Sequence, residues 1–173
     1  MINSIPIIIQ AIRQDYKPEC QYITSAEIVT YHPLVIAGMF NVTDSIHIHP
    51  DLDHIAISET ALCVNQLERV LCAYLLETGY VWEWGKLDFV EWNKSEAGNE
   101  AWVIVKEEFE FKNSIKPGVF GGKLKVEEER KSRAGNYHIR CSFEFDSGKH
   151  IGSIQLCFIV SKGLLTTNAT YAI

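Results

Sequence analysis

The sequence predicts an α+β domain in which a curved antiparallel sheet wraps around one long central helix. Three observations carry that prediction. A single segment has sustained helical character, and its apolar side chains cover most of its circumference instead of one stripe. The remaining segments alternate or are rich in β-branched and aromatic residues, and the later ones are joined by short connections containing Gly, Asn or Pro. At 173 residues the chain suits one domain with one core. A helix that needs cover on several sides, followed by consecutive antiparallel strands, is best satisfied by a sheet that wraps it.

Residues 1–20 read as an N-terminal extension. Its apolar run Ile5 to Ile9 lacks a basic flank and a small-residue cleavage site and is far below spanning length, so no export signal is read there. Residues 21–31 (QYITSAEIVTY) and 35–49 (VIAGMFNVTDSIHIH) have strand character. The helix follows: Ser58 stands where a cap is needed, ALCVNQLERVLCAYLLE forms the body, and Gly79 can take the left-handed closing position. These bounds give a helix of about 20 residues, ~30 Å long. Asn65, Gln66, Glu68 and Arg69 sit near its middle, where lipid would make them costly, so it is no membrane span. Residues 81–93, 101–112, 120–130, 136–146 and 151–161 read as further strands. NSIKPG, KSRAGN and DSGKH join the last four of these in the manner of antiparallel neighbours, which predicts a meander. Residues 164–173 read as a loose tail of the single domain 1–173. A sheet wound about one helix in this way is the hotdog arrangement.

Composition excludes several classes. Hydrophobic residues at 47% and charged residues at 22% are near the globular average, so the chain folds. Sixteen Lys plus Arg against 22 Asp plus Glu give a net charge of -6, which argues against a nucleic-acid footprint and against adsorption to anionic lipid. Five cysteines without CxxC spacing suggest neither a disulfide framework nor a zinc ribbon, and they fit a reducing cytoplasm. No G-x-S-x-G elbow, phosphate loop or dinucleotide glycine motif is present.

Two stretches carry a family resemblance. Asp53-His54-Ile55-Ala56-Ile57-Ser58-Glu59, continued by Cys63-Val64-Asn65-Gln66-Leu67, resembles the FcoT-like hotdog enzymes of bacterial lipid and lipopeptide pathways, in which a His precedes a Glu by five residues and an Asn-Gln pair lies on the helix. Phe109 to Pro117 (FEFKNSIKP), continuing to Phe120 and Gly122, is similar to the family's central strand and the turn after it. The resemblance covers about residues 40–162. It implies an enzyme of acyl thioesters, described for such relatives either as long-chain acyl-thioester hydrolysis or as addition of glycine across the double bond of an enoyl thioester on a carrier protein. The second is the preferred expectation, with an acyl carrier protein or a coenzyme A thioester as partner, glycine as co-substrate and a homodimer that builds each site across its interface. Neither chemistry requires a metal or an organic cofactor.

The residues bear this chemistry. Glu59 falls in the first helical turn, where unpaired N–H groups and the positive end of the dipole favour both a carboxylate and charge developing on a substrate oxygen. One place thus offers a base and an oxyanion site. His54, in the loop before the helix, can orient Glu59 or shuttle a proton. Asn65 can bond the thioester carbonyl or the pantetheine arm. Plainer readings stand beside these: Glu59 as a dipole-complementing acid, His54 as a loop histidine bonded to a carbonyl, and Asn65 as partner to a buried backbone group. His47 and His49 with His54, Asp51 and Asp53 form a rival metal constellation, since alternate strand residues share a face. Cys63 and Cys72 on an apolar helix read as packing. Trp82, Trp84, Trp92 and Trp102 suit an acyl tunnel, a subunit interface or the core. On the strand that begins near Trp102, Val103, Val105, Phe109 and Phe111 are expected on the buried face. A non-catalytic acyl-binding protein of the same fold is the reading from a different class.

Overall fold

A computed structural model of the chain describes residues 5–43, 53–80, 88–90 and 102–159. Among them lie helix α1 (Ile5–Gln14), strands β1 (Ile23–Tyr31) and β2 (Leu34–Val42), helix α2 (Ile57–Thr78) and strands β3 (Trp102–Phe111), β4 (Gly118–Lys131), β5 (Tyr137–Phe145) and β6 (His150–Phe158). The strands pair throughout as an antiparallel sheet in the order β1-β2-β4-β5-β6-β3.

The helical content differs from the expected single helix. α2 has 22 residues and ends as expected on Gly79, whose φ of 67° is the left-handed conformation that glycine adopts without strain. Its start is different: Ala56, and not Ser58, is the capping residue, and Glu59 reaches back to accept the Ala56 N–H at 3.0 Å. The isoleucine run in the supposed extension forms α1, which buries Ile8, Ile9 and Ile12 against α2 and β1. Isoleucine is a modest helix former, so packing of that stripe, and not propensity, sets α1.

α2 is enclosed by α1, β1, β2 and β4, and two of its polar side chains, Gln66 and Arg69, tie it to its surroundings. Gln66, fully buried, accepts the Ile23 N–H at 2.7 Å and donates to the Cys20 carbonyl at 2.6 Å, which fixes where β1 begins. Arg69 pairs with Asp15 at 2.6 Å, joining α2 to the end of α1, and its guanidinium lies 5.9 Å from the Trp102 ring centroid.

On the sheet, one face packs on the helix. Ile36 and Phe40 of β2, Phe120 and Leu124 of β4, Phe143 and Phe145 of β5, and Ile154, Leu156 and Phe158 of β6 are buried there. Glycines occupy the same alternation where a ring needs the space: a Cβ at Gly122 would collide with the Phe145 ring, and one at Gly152 with the Phe143 ring and the Glu108 carbonyl.

The expected meander holds only from β4 to β6. KSRAGN and DSGKH are tight turns, but NSIKPG is not: β3 lies at the far edge beside β6, and the chain crosses back to reach β4. The reason is Ile115, fully buried in mid-connection with its carbonyl accepting the Ile55 N–H at 2.9 Å, which makes the segment a packed crossover and not a surface turn. A bulge between Ile104 and Lys106 also changes the face of β3. Trp102 and Ile104 pair with the inward residues Phe158 and Leu156, and beyond the bulge Glu107, Phe109 and Phe111 pair with Ile154, Gly152 and His150. Val103 and Val105, expected inside, are 44% and 53% exposed. Of the strand expected over 81–93 only residues 88–90 are described, and 89–90 are helical. Trp82, Trp84 and Trp92, and residues 164–173, lie outside the described residues.

The bulge brings Glu107 toward Glu68 of α2, a fully buried acid. Glu68 Oε2 and Glu107 Oε1 are buried without a hydrogen-bond partner. Burial raises both carboxyls above the ordinary value of 4.5, Glu68 strongly; at Glu68 the Arg69 charge opposes the shift and Glu107 adds to it.

Two stability measurements follow from this interior. Gln66→Leu leaves the Ile23 N–H and the Cys20 carbonyl unpartnered, and thermal unfolding should show a loss of about 2–6 kcal/mol at one to three per group. The folded state binds the Glu68 proton more tightly than the unfolded chain. Its contribution is therefore full below the ordinary carboxyl value and lost as pH rises through the folded one. Urea unfolding across that range should show stability falling with pH, and Glu68→Gln should flatten the slope.

Candidate active site

The first turn of α2 lies against the β3–β4 crossover. Ile55 is held by Ile115, and the crossover's start is held in turn by Lys112 and Asn113, whose N–H groups donate to the Lys149 carbonyl at 2.8 and 3.3 Å. Between the two runs lies a cleft of about 520 Å³, lined by residues 54–57 and 111–114 and by His150.

Glu59 stands behind the wall of this cleft. It is fully buried, and its Oε2 accepts from the Ala56 N–H and from the Ser58 hydroxyl, each at 3.0 Å. Ser58, expected to cap the helix, thus serves the carboxylate instead. On the inner side Tyr22 is 3% exposed, with a hydroxyl that has no hydrogen-bond partner. Burial first, and then the neighbouring Cys20 and Glu59, push that phenol up to about 12, so it stays a proton donor across the physiological range.

His54 lines the cleft with its side chain 44% exposed and its Nδ1 3.4 Å from Asp53 Oδ1. Asn65 does not join it: six residues beyond Glu59 it points to another part of the helix, and its buried Oδ1 has no partner. Of the sequence-derived candidates, then, the structure gathers His54 and Glu59 about the start of α2 and leaves Asn65 apart. The neighbouring Gln66 is a structural clamp on β1.

One residue of the site escaped the sequence reading. His150 is 2% exposed, with its Nδ1 2.9 Å from the Thr60 hydroxyl oxygen and its ring edge-on to Phe111 at 4.5 Å between centroids. Burial, its largest influence, lowers its pKa, while the Asn113 backbone and Asp146 oppose that shift. The available cue was period two: Ile154, Leu156 and Phe158 point inward, and continuing the alternation back through Gly152 brings His150 to the same face. The DSGKH connection, which predicts a turn, ends on this histidine, the first residue of β6.

Other chemistries find less. His47, His49 and Asp51 of the rival metal constellation lie outside the described residues, and among the described residues no group of three or more His, Cys, Asp or Glu side chains is placed to hold a metal ion. Cys63 and Cys72 are fully buried, and burial pushes both thiols well up, against nucleophilic use. Among the described residues no helix is long and apolar enough to cross a membrane.

The FcoT-like thioesterase domain model matches residues 11–158. Cj0977, a sigma28-regulated virulence protein from Campylobacter jejuni, is similar in structure with a TM-score of 0.51 at 12% identity, over 93% of this chain and 94% of its own. A mutant of thioesterase PA1618 from Pseudomonas aeruginosa gives 0.52 at 8% identity, over 92% and 96%. A hypothetical thioesterase from Streptococcus pneumoniae, solved with coenzyme A, gives 0.50 at 11% identity, over 88% and 97%. No curated protein matches the chain. At such identities the structural likeness speaks for fold alone, and that fold is the hotdog arrangement.

Proposed function

Since the chain belongs to the FcoT-like thioesterase family, we propose that it is an enzyme of acyl thioesters with Glu59 as its general base. The observation that carries the reading is a carboxylate sequestered in the first turn of α2, behind a cleft lined by two histidines. Family membership favours hydrolysis: Glu59 takes a proton from water, the oxygen attacks the thioester carbonyl, and the carbon–sulfur bond breaks as the thiol leaves with a proton. The resemblance of the His54 to Glu59 stretch to glycine-adding enzymes supports the finer reading. There Glu59 takes a proton from the glycine ammonium, the nitrogen attacks the β-carbon of a 2-enoyl thioester, and the resulting enolate is protonated at the α-carbon. In both, backbone N–H groups of the first turn of α2, at the positive end of its dipole, stabilise the oxyanion. His54 relays the proton, whereas Asn65, set apart from the cleft, takes no part in this reading.

The thioester is carried by an acyl carrier protein or by coenzyme A. The five cysteines, all free thiols, fit a cytoplasmic setting. A homodimer is proposed at β3, an edge strand among the described residues whose Val103, Ile104 and Val105 are exposed.

Mass spectrometry of the protein with a 2-enoyl thioester, with and without glycine, separates the readings. A product heavier by one glycine establishes conjugate addition, and free acid formed equally fast without glycine establishes hydrolysis. In either case Glu59→Gln should lose at least about 100-fold in turnover while still binding the thioester. A bound thioester that is never turned over would leave the acyl-binding protein. Sedimentation should give twice the monomer mass, and Val105→Glu should shift it toward monomer.

A further inference from the structure

A continuous set of hydrogen bonds joins the buried histidine at the start of β6 to the turn that holds the carboxylate. We propose that His150 is a positioning residue for Glu59: its ring holds the first turn of α2 through Thr60, and its charge state selects the acceptor of the Thr60 hydroxyl proton. The inference rests on the reading of Glu59 as the base.

Thr60 Oγ1 has two partners, His150 Nδ1 at 2.9 Å and the Ala56 carbonyl at 3.2 Å. A hydroxyl carries one proton and can donate to one of them. With a neutral ring protonated on Nε2, Thr60 donates to Nδ1 and the Ala56 carbonyl keeps only the Thr60 N–H, also at 3.2 Å. With the imidazolium, Nδ1–H becomes the donor, and the Thr60 hydroxyl must turn to the Ala56 carbonyl. Ala56 is the residue whose N–H holds Glu59 Oε2, so the change reaches the carboxylate through one residue.

Every neighbour of the ring bears on that choice. Phe111 of β3 stands edge-on to the ring, and burial favours the neutral form. The Asn113 backbone in the crossover and Asp146 in the β5–β6 turn favour the charged form, whereas His54 in the loop before α2 and Lys149 disfavour it. Lys112 lines the same cleft. A histidine serving only as filler would need none of the Thr60 bond, and a leucine would pack as well against Phe111.

The test follows imidazole and amide nitrogens by NMR against pH in the wild type, Thr60→Val and Thr60→Ser, beside kcat and KM for whichever thioester is turned over. Expected in the wild type is a His150 ring that is the Nε2–H tautomer when neutral, and an Ala56 amide resonance that shifts with the His150 titration. Thr60→Val should uncouple the Ala56 amide from His150 and lower kcat about tenfold with KM within twofold, while Thr60→Ser should keep both. An Ala56 amide that ignores the His150 titration, or that follows it equally in Thr60→Val, overturns the proposal. If coupling is seen but no acyl thioester is turned over, the link between His150 and the Glu59 turn stands and the acyl-thioester reading falls.

Discussion

The interior position of α2 governs the rest of the fold. A helix walled by α1 and three strands cannot leave its polar side chains to water, so each must find a partner that the fold brings to it, or lose its charge. Gln66 finds the backbone at the start of β1, Thr60 finds His150, and Glu59 finds the backbone of its own first turn. Glu68 has only a weak contact with the Cys72 thiol, and burial answers by favouring its neutral form. The same pairings that satisfy α2 therefore place β1, β6 and the loop before the helix.

The cleft arises from that arrangement. Because β3 sits at the far edge of the sheet, its connection to β4 has to pass the start of α2, and Ile115 anchors it there by both its side chain and its carbonyl. Two irregular segments running side by side leave a gap, and the residues about it that can bond or titrate are His54 and Asn113 of those segments and His150 at the start of β6. The chemistry is concentrated where the regular elements fail to close over one another.

How much of this could be read from the chain depends on the range of the interactions involved. The body of α2 and its end at Gly79 were legible, because periodicity and a left-handed glycine act within a few residues. So were the strands β4, β5 and β6 and the tight turns between them. α1 was not, since its isoleucines become helical only against α2 and β1. Nor was the bulge in β3, which puts Val103 and Glu107 on opposite faces and depends on pairing with β6. At the site, the placement of His54 and Glu59 about the start of α2 was legible through their motif, but Tyr22, just before β1, and His150, at the start of β6, reach it from distant parts of the chain, and only the alternation along β6 hints at His150.

The glycine at position 122 has a bearing on how this protein can change over time. Gly38, Gly122, Phe145, His150 and Phe111 are successive partners in one row across five strands, and the ring of Phe145 occupies the space that any side chain at 122 would need. Phe145 is in turn the cross-strand neighbour of His150. The location of the histidine is thus written partly in the missing side chain of a strand two places away. Divergence on the charged outer face, where Lys123 meets Glu144 and Arg140 meets Glu128, can proceed by exchanges that never reach the cleft. Along the inner row it cannot, so lineages of this chain are free to drift on one surface of the sheet and held to a common pattern on the other.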